Sequence, residues 1–288
     1  MLLAFVAGRT TATNVALAAA APDWVDARVL SPEQAAATLG RDDVAVGRLD
    51  VSDSLDGPED GLWALGTLAA SGVRVFNRAG ALLAVHDKLL TARVLGREGL
   101  PHPRTTMLHA DGQAPPWTGP VVVKPRFGSW GLEVTLCENE IDFRRHLRAL
   151  EPRPWFQRHG ALVQELIEPA GYDLRVVVAA GTPVGAISRV AAAGEWRTNL
   201  SLGGTRRRVD PPPGALALAV WAAAAAGTEL VGVDLLPDGA GGWTVLELNG
   251  AVDFTTEYRI DRDPFVAAVS ELVRAACARE PALAEGAA

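Results

Sequence analysis

Cysteine, histidine clusters and long apolar runs are the features this chain lacks. Only Cys137 and Cys277 are present, far apart, and the five histidines form no HxxxH or CxxC cluster. A disulfide framework and a structural zinc site are thereby disfavoured. The longest apolar candidate, Ala215–Gly227, falls short of the roughly 20 residues that cross a bilayer as a helix. The first 21 residues resemble a signal peptide only superficially. They have no basic start, and Arg9, three threonines and Asn14 interrupt the apolar stretch, so a strand turning into a helix fits better. Basic residues do not predominate either. With 27 Lys+Arg against 34 Asp+Glu the formal charge is -7, which argues against a surface built for nucleic acid. There is no internal repeat and no GxGxxG dinucleotide fingerprint. The expectation is a cytoplasmic protein with no nucleic-acid or membrane partner.

What remains is ordinary globular material. The 288 residues are 49% hydrophobic and 21% charged, enough for about two domains with sizeable cores. Over the first 80 residues short strands (2–7, 27–29, 44–48, 73–76) alternate with helices (32–39, 61–71), which suggests a small parallel sheet. Ser31-Pro32-Glu33 is a helix start, with a capping hydroxyl and proline at the first helical position. After Asn77 the texture changes. A helix is expected over 84–99, broken by Pro101 and Pro103, then a strand at 121–124 and an arginine-rich amphipathic helix at 141–150. Strands follow at 162–167, 174–180 and 184–190. A helix spans 215–227, a hairpin 230–249, and a last helix about 264–279.

Three groups of residues carry chemistry. In VVVKPRFGSWG, an apolar strand ends in Lys124 and opens into a loop with Gly128, Ser129 and Gly131. Glycines let backbone N–H groups approach phosphate oxygens, and a strand-end lysine supplies a fixed cation; a plain surface turn fits the same residues. In the hairpin GVDLLPDGAGGWTVLELNG, Glu247 and Asn249 are two apart and share a face. A six-residue turn over 237–242 would set Asp234 opposite Val245 and on that same face, with Val233, Leu235, Leu246 and Leu248 toward the core. Two carboxylates and an amide oxygen converging there suit magnesium; a solvated polar face is the alternative, and a one-residue slip would abolish the arrangement. The third group is Glu165 inside an apolar strand, Asp173 and Arg175 on one strand face, and Arg189, Arg197 and Asn199. Arginines without evident partners suit phosphate or carboxylate binding, and each also fits an ordinary ion pair. The run Arg206–Arg208 after two glycines reads either as loop charge or as an acceptor-carboxylate site.

Together, Lys124 and its loop, QELI at 164–167, GYDLR ending at Arg175, EWRTN at 195–199, GVD and ELN resemble the ATP-grasp ligases in their order. The arrangement is most similar to the RimK-type amino-acid ligases. HDKLLTARVLGREGLPHPRT (86–105) resembles their segment with a second phosphate-contacting lysine, here Lys88. The likeness runs from about residue 77 to 279. It implies an α/β (α+β) chain with the ATP-grasp fold. An N-terminal α/β domain would cover 1–83, a central lid domain 84–160, a C-terminal domain with the metal hairpin 161–279, and a flexible tail 280–288.

The resemblance further implies roles. Lys88 and Lys124 should meet the nucleotide phosphates with the Gly128, Ser129, Gly131 loop, Glu165 and Leu166 the adenine, and Asp173 the ribose. Arg197 and Asn199 should reach the phosphates and reaction centre, Arg175 and Arg189 the developing acylphosphate or tetrahedral oxyanion. Asp234, Glu247 and Asn249 should ligate two Mg²⁺, with Mn²⁺ as a substitute. ATP, an amino acid (L-glutamate foremost) and a carboxylate acceptor would be the substrates. The acceptor would be a small molecule, a peptide or a carrier-protein C-terminus, and a homo-oligomer is compatible. Two other readings stand beside this one: a glutathione-synthetase-like or D-alanine-ligase-like enzyme, and a non-catalytic ATP-binding regulator. Two departures are notable. Glu133 stands where many relatives have a further loop glycine, and Val190 where the ribosomal-protein-modifying members carry a second arginine. Trp130, in the loop, reads as a lid or as a packed aromatic.

Overall fold

The computed structural model describes residues 1–278; the expected tail at 280–288 lies outside them. Four parallel strands open the chain, with a helix crossing over between each successive pair. They are β1 (Leu2–Val6), β2 (Asp26–Leu30), β3 (Val44–Gly47) and β4 (Arg74–Phe76), in the order β2-β1-β3-β4. The intervening helices are α1 (Ala12–Ala19), α2 (Pro32–Thr38) and α3 (Leu62–Ala70). The Ser31 start signal is realised as a full capping box. The Ser31 hydroxyl accepts from Gln34 N–H while the Gln34 side chain accepts from Ser31 N–H, so two orphan donors of the first turn are satisfied.

The single helix expected over 84–99 is two. α4 (Ala79–His86) ends at Asp87, whose carboxylate caps the amides of Leu89 and Leu90 to start α5 (Lys88–Arg97). The residue pair Asp87-Lys88 is therefore fixed at a helix junction, which matters for the site below. The central sheet is antiparallel, β5-β8-β6-β7. It consists of β5 (Thr105–Leu108), β6 (Val121–Pro125), β7 (Thr135–Cys137) and β8 (Ala161–Glu165), with α6 (Glu140–Leu150) and α7 (Pro154–His159) on it. Neither β5, β7 nor α7 was legible in the sequence, because each is short and none carries a run of apolar residues or a capping signal that marks it off from its surroundings. Pro154 is the first residue of α7, where its missing N–H costs nothing. β8 pairs with both β5 and β6, so the central sheet takes in 161–165, and an edge at 160/161 would cut it.

The third sheet runs β11-β10-β9-β12-β13 and is wholly antiparallel. Its strands are β9 (Tyr172–Ala179), β10 (Thr182–Val190), β11 (Thr205–Arg207), β12 (Leu230–Pro237) and β13 (Trp243–Asn249). α8 (Pro213–Ala225) and α9 (Pro264–Cys277) complete the region. Alternation along β9 and β12 divides this sheet cleanly. Leu174, Val176, Val178, Val231, Val233 and Leu235 pack in one core with the alanines of α8. Val177, Ala179, Ile187 and Leu230 share the other core with α9 and with Leu3 and Phe5 of the N-terminal sheet. The far end of that second face carries charge instead of methyl groups.

Asn77 joins the first and third sheets. It is fully buried, takes the left-handed φ of 50° that asparagine tolerates better than most residues, and is surrounded by backbone. Its Nδ2 donates to Gly47 O at 3.1 Å and Leu230 O at 2.7 Å, and its Oδ1 accepts from Glu229 N and Leu230 N at 2.9 and 3.0 Å. Removing this side chain strands several buried backbone groups. We expect Asn77→Ala to lower unfolding stability by about 2–4 kcal/mol, measured as a reduced urea midpoint with an unchanged m-value.

Candidate active site between the central and C-terminal sheets

The hairpin β12–β13 differs in register from the sequence-based expectation, and the difference is compensated. Its turn is Asp238–Gly242, with Pro237 opposite Trp243, Leu236 opposite Thr244 and Leu235 opposite Val245. Continued regularly, this register would place Glu247 on the wrong face. A β-bulge between Asp234 and Leu235 restores it, so that Asp234 lies directly opposite Glu247, and Gly232 opposite Asn249. Directly opposite residues share a face, and Asp234, Glu247 and Asn249 therefore converge as expected. The cost falls on Leu246, the extra residue. It is half-buried and lines the cleft instead of joining the core, while Val245 joins the core instead of facing Asp234.

The three oxygen-bearing side chains fit a hard divalent cation such as magnesium. Asn249 Nδ2 lies 3.4 Å from Asp234 Oδ2, which leaves the amide oxygen as the third donor. Among the described residues no three His, Cys, Asp or Glu side chains form a metal-holding group, so the set depends on this asparagine.

Arg175 and Arg189 are not the unpartnered cations that the sequence suggests. Arg175 grips Asp234 with two hydrogen bonds, 2.6 and 2.7 Å. Arg189 grips Asp173 at 2.9 and 2.5 Å and also reaches Asp234 at 2.9 Å. Thr198 donates to Asp173 at 2.5 Å. Burial alone would raise the Asp234 carboxyl. The attraction of Arg175 and Arg189 outweighs it and holds the group well below the usual carboxylate range. Asp173 is 1% exposed with its oxygens already engaged, an arrangement that orients Arg189 better than it serves a ribose.

On the facing wall, β6 delivers Lys124 into the cleft, where the residue is 5% exposed. Burial pushes its ammonium down to about 8, with Glu247 opposing the shift and Lys88 adding to it. Lys88, at the start of α5, donates to Gly128 O and stands 3.9 Å from Glu247. Asp87 accepts from Arg126 at 2.8 and 2.5 Å, tying the lysine's helix to the loop after β6. In that loop Gly131 has φ +73°, and a Cβ there would lie 2.9 Å from Asn199 Oδ1. Arg197 donates to Gly131 O and Val134 O at 3.2 Å, and Ser201 donates to Trp130 O at 2.9 Å. The C-terminal segment 197–201 thus holds the loop by its carbonyls, leaving N–H groups for a ligand. Ser129 lines the cleft, whereas Trp130 stands exposed at the tip. Glu133 adopts φ +55°, the glycine conformation, and pairs with Arg153 at 3.5 Å rather than lining the cleft.

The cleft's far end is apolar, formed by Val122, Leu166, Ile167, Leu236 and Leu246. Glu165 lines it but directs its carboxylate to Arg104, at 2.8 Å (backbone N–H) and 2.7 Å. Leu246 escaped sequence reasoning because the bulge decides where it points, whereas Leu236 shares the face of Asp234 by simple alternation along β12. Glu195, which binds Arg197 at 3.0 and 2.8 Å, was legible two residues upstream in EWRTN. The arrangement is an apolar slot, then two ammonium groups and a glycine loop, then an oxygen cluster. It can hold a flat heterocycle carrying phosphates and a divalent cation.

A buried ammonium held below its normal value lowers stability at neutral pH, because the unfolded chain keeps the proton more readily. We expect Lys124→Met to raise the thermal midpoint of ligand-free protein at pH 7. That advantage should shrink as pH climbs from about 8 toward 10.5, the range in which folded Lys124 has lost its proton and the unfolded lysine has not.

Comparison with known proteins agrees with the geometry. A model of the RimK-like ATP-grasp domain matches residues 85–271. The chain is 30% identical over 197 residues to the glutamate–LysW ligase ArgX of Sulfurisphaera tokodaii, covering 67% of this chain and 70% of that protein. It is 34% identical over 179 residues to the tetrahydromethanopterin:alpha-L-glutamate ligase of Methanosarcina acetivorans, covering 59% and 55%. It therefore spans little more than half the length of the second. The fold is similar to that of the D-cycloserine synthetase DcsG, with TM-score 0.72 and 18% identity over 96% of this chain and all of that one. Among the described residues no helix is long and apolar enough to cross a membrane. The chain has the ATP-grasp fold and belongs to the RimK-like ATP-grasp family.

Proposed function

We propose that this chain is an ATP-dependent carboxylate–amine ligase that joins an amino acid, L-glutamate foremost, to an acceptor carboxylate through an acylphosphate. The observation that carries this reading is the convergence, in one cleft, of Lys88 and Lys124 with the opposed carboxylates Asp234 and Glu247. A binding-only regulator has no evident need for the second layer of Arg175 and Arg189 behind them. Relatives whose names specify glutamate ligation support the amine, and they differ in acceptor, one a protein and one a pterin.

The residues divide the work by chemistry. Val122, Leu236 and Leu246 would enclose the adenine beside the backbone of Glu165 and Leu166. Lys88, Lys124 and the Gly128, Ser129, Gly131 loop would hold the phosphates, with Arg197 and Asn199 closing the loop from the opposite side. Asp234, Glu247 and Asn249 would hold two magnesium ions, with manganese as a substitute, and the metal would neutralise phosphate charge when bound. An acceptor carboxylate oxygen attacks the γ-phosphorus and ADP leaves. The amine then attacks the acyl carbon, phosphate departs and an amide remains. Arg189, which lines the cleft, and Arg175, which holds Asp234 from behind, would supply positive charge near the acyl oxygen where negative charge accumulates, and such preorganised charge is typically worth several kcal/mol. Arg206 lies opposite Arg189 in the β10–β11 pair and projects from the same face. This supports its binding the acceptor's carboxylates, while Glu257, 3.4 Å away, orients it.

Isotope tracing tests the route. ¹⁸O in the acceptor carboxylate should appear in released phosphate, in step with amide formation; label retained entirely in the amide rules out the acylphosphate. Glu247→Ala should abolish turnover while the folded baseline persists, and full activity in that variant would sink the magnesium assignment. Lys124→Met should weaken ATP binding at least tenfold, about 1.4 kcal/mol, by calorimetry. Arg206→Ala should raise the KM of an acidic acceptor more than that of ATP.

A further inference from the structure

A short finger of the N-terminal region reaches into the central sheet. After β3 the chain turns back on itself between Val51 and Pro58, which form an isolated antiparallel bridge. The neck is closed by Ser52 N donating to Gly57 O at 2.8 Å and Glu59 N to Asp50 O at 2.7 Å, and Arg9 braces Glu59 at 2.9 Å. The finger is therefore fixed to the N-terminal sheet at its base. Its tip belongs elsewhere. Leu55, in the left-handed region at φ 61°, is 7% exposed and sits in the central core with Val123, Trp155 and Phe156. Asp56 accepts from Arg158 at 2.6 Å and lies 3.8 Å from His159 Nε2, both at the end of α7.

Leu55 also lies behind the glycine loop that follows β6. A Cβ added to Gly128 would lie 3.2 Å from Leu55 Cδ2, so the leucine methyl closes the space behind this glycine. Gly128 O, in turn, accepts from Lys88. Phe127, the preceding residue, is 6% exposed and meets the His159 ring edge-on with centroids 5.2 Å apart. The two sides of the loop's first residues thus rest on the finger: Gly128 directly on Leu55, and Phe127 through His159 on Asp56. A leucine held in a conformation that leucine avoids is best understood where its docking over-determines it.

We infer that Leu55 and Asp56 are positioning residues of the nucleotide-binding loop, through which the N-terminal region sets the loop's resting geometry and hence ATP affinity. The inference rests on the ligase reading for its consequence, but its structural half stands alone. With the finger docked, the Phe127–Gly128 backbone has one arrangement, and Lys88 finds Gly128 O. Without Leu55, the space behind Gly128 opens and the loop gains freedom that a nucleotide must remove on binding.

Hydrogen exchange on the full chain without nucleotide reads the structural half. In Leu55→Ala and in Asp56→Asn, amides of 126–132 should exchange at least fivefold faster than in the unmutated protein. Amides of β9 and β12 should keep their rates, showing that the fold is intact. Calorimetry with Mg²⁺ and a non-hydrolysable ATP analogue should give a Kd raised about fivefold or more. In turnover the KM for ATP should rise with kcat within twofold, and Leu55→Met, which refills the space, should restore both. Unchanged exchange over 126–132 in folded Leu55→Ala overturns the inference, as does an unchanged analogue Kd in that variant. If the unmutated protein binds no ATP analogue, the ligase reading fails, while the exchange comparison still decides whether the finger positions the loop.

Discussion

Four charges side by side, three of them buried and Arg175 half-buried, organise this molecule: Asp173, Arg175, Arg189 and Asp234. Burying any one alone would cost several kcal/mol, and the set is tolerable only because two carboxylates and two guanidinium groups close a hydrogen-bonded, neutral cluster. Its members come from β9, β10 and β12, which must be adjacent and in one register for the fork geometries to form. The cluster therefore makes the order of the third sheet and the chemistry of its face the same requirement. It also explains how a carboxylate 1% exposed stays ionised.

The facing wall meets a complementary demand. Lys124 brings a charge into a nearly dry position and is held below its usual basicity for it, with Glu247 opposing the shift. The loop after it needs backbone conformations that side chains resist. Gly128 and Gly131 supply two of them, while Trp130 and Glu133 adopt left-handed φ without being glycine. Glu133 shows how the departure is accommodated. Its ion pair with Arg153 keeps the carboxylate off the cleft, and the repulsion that a phosphate would otherwise meet there does not arise.

Between these walls, the N-terminal region is a structural partner to both. Asn77 stitches β3 to β12 through backbone groups, and the 51–58 finger enters the central core through Leu55. The two attachments follow β4 and β3, neighbouring strands of one sheet, so the N-terminal sheet is tied both to the C-terminal sheet and to the central core. The Asp87–Arg126 pair adds a third tie. It couples the helix that carries Lys88 to the loop whose carbonyl Lys88 bonds.

Local chemistry was decided by the sequence alone: a lysine at the end of an apolar strand, glycines where backbone must approach a ligand, and Glu247 and Asn249 two apart on one strand. Each depends on residues within a few positions, where the helical and strand periods act directly. The order of motifs from His86 to Asn249 likewise carried the family. Tertiary structure decided what those residues face. Asp234 shares a face with Glu247 only because a bulge at Leu246 corrects a turn one residue shorter than expected. The arginines that looked free found Asp173 and Asp234 across neighbouring strands, and β5, β7 and β11 exist because a sheet edge was there to receive them. Leu55, an unremarked leucine in a polar loop, became part of another region's core. Register, ion pairing and docking join residues distant in sequence, so no local pattern encodes them; they are settled by which burials and pairings the whole chain can satisfy at once.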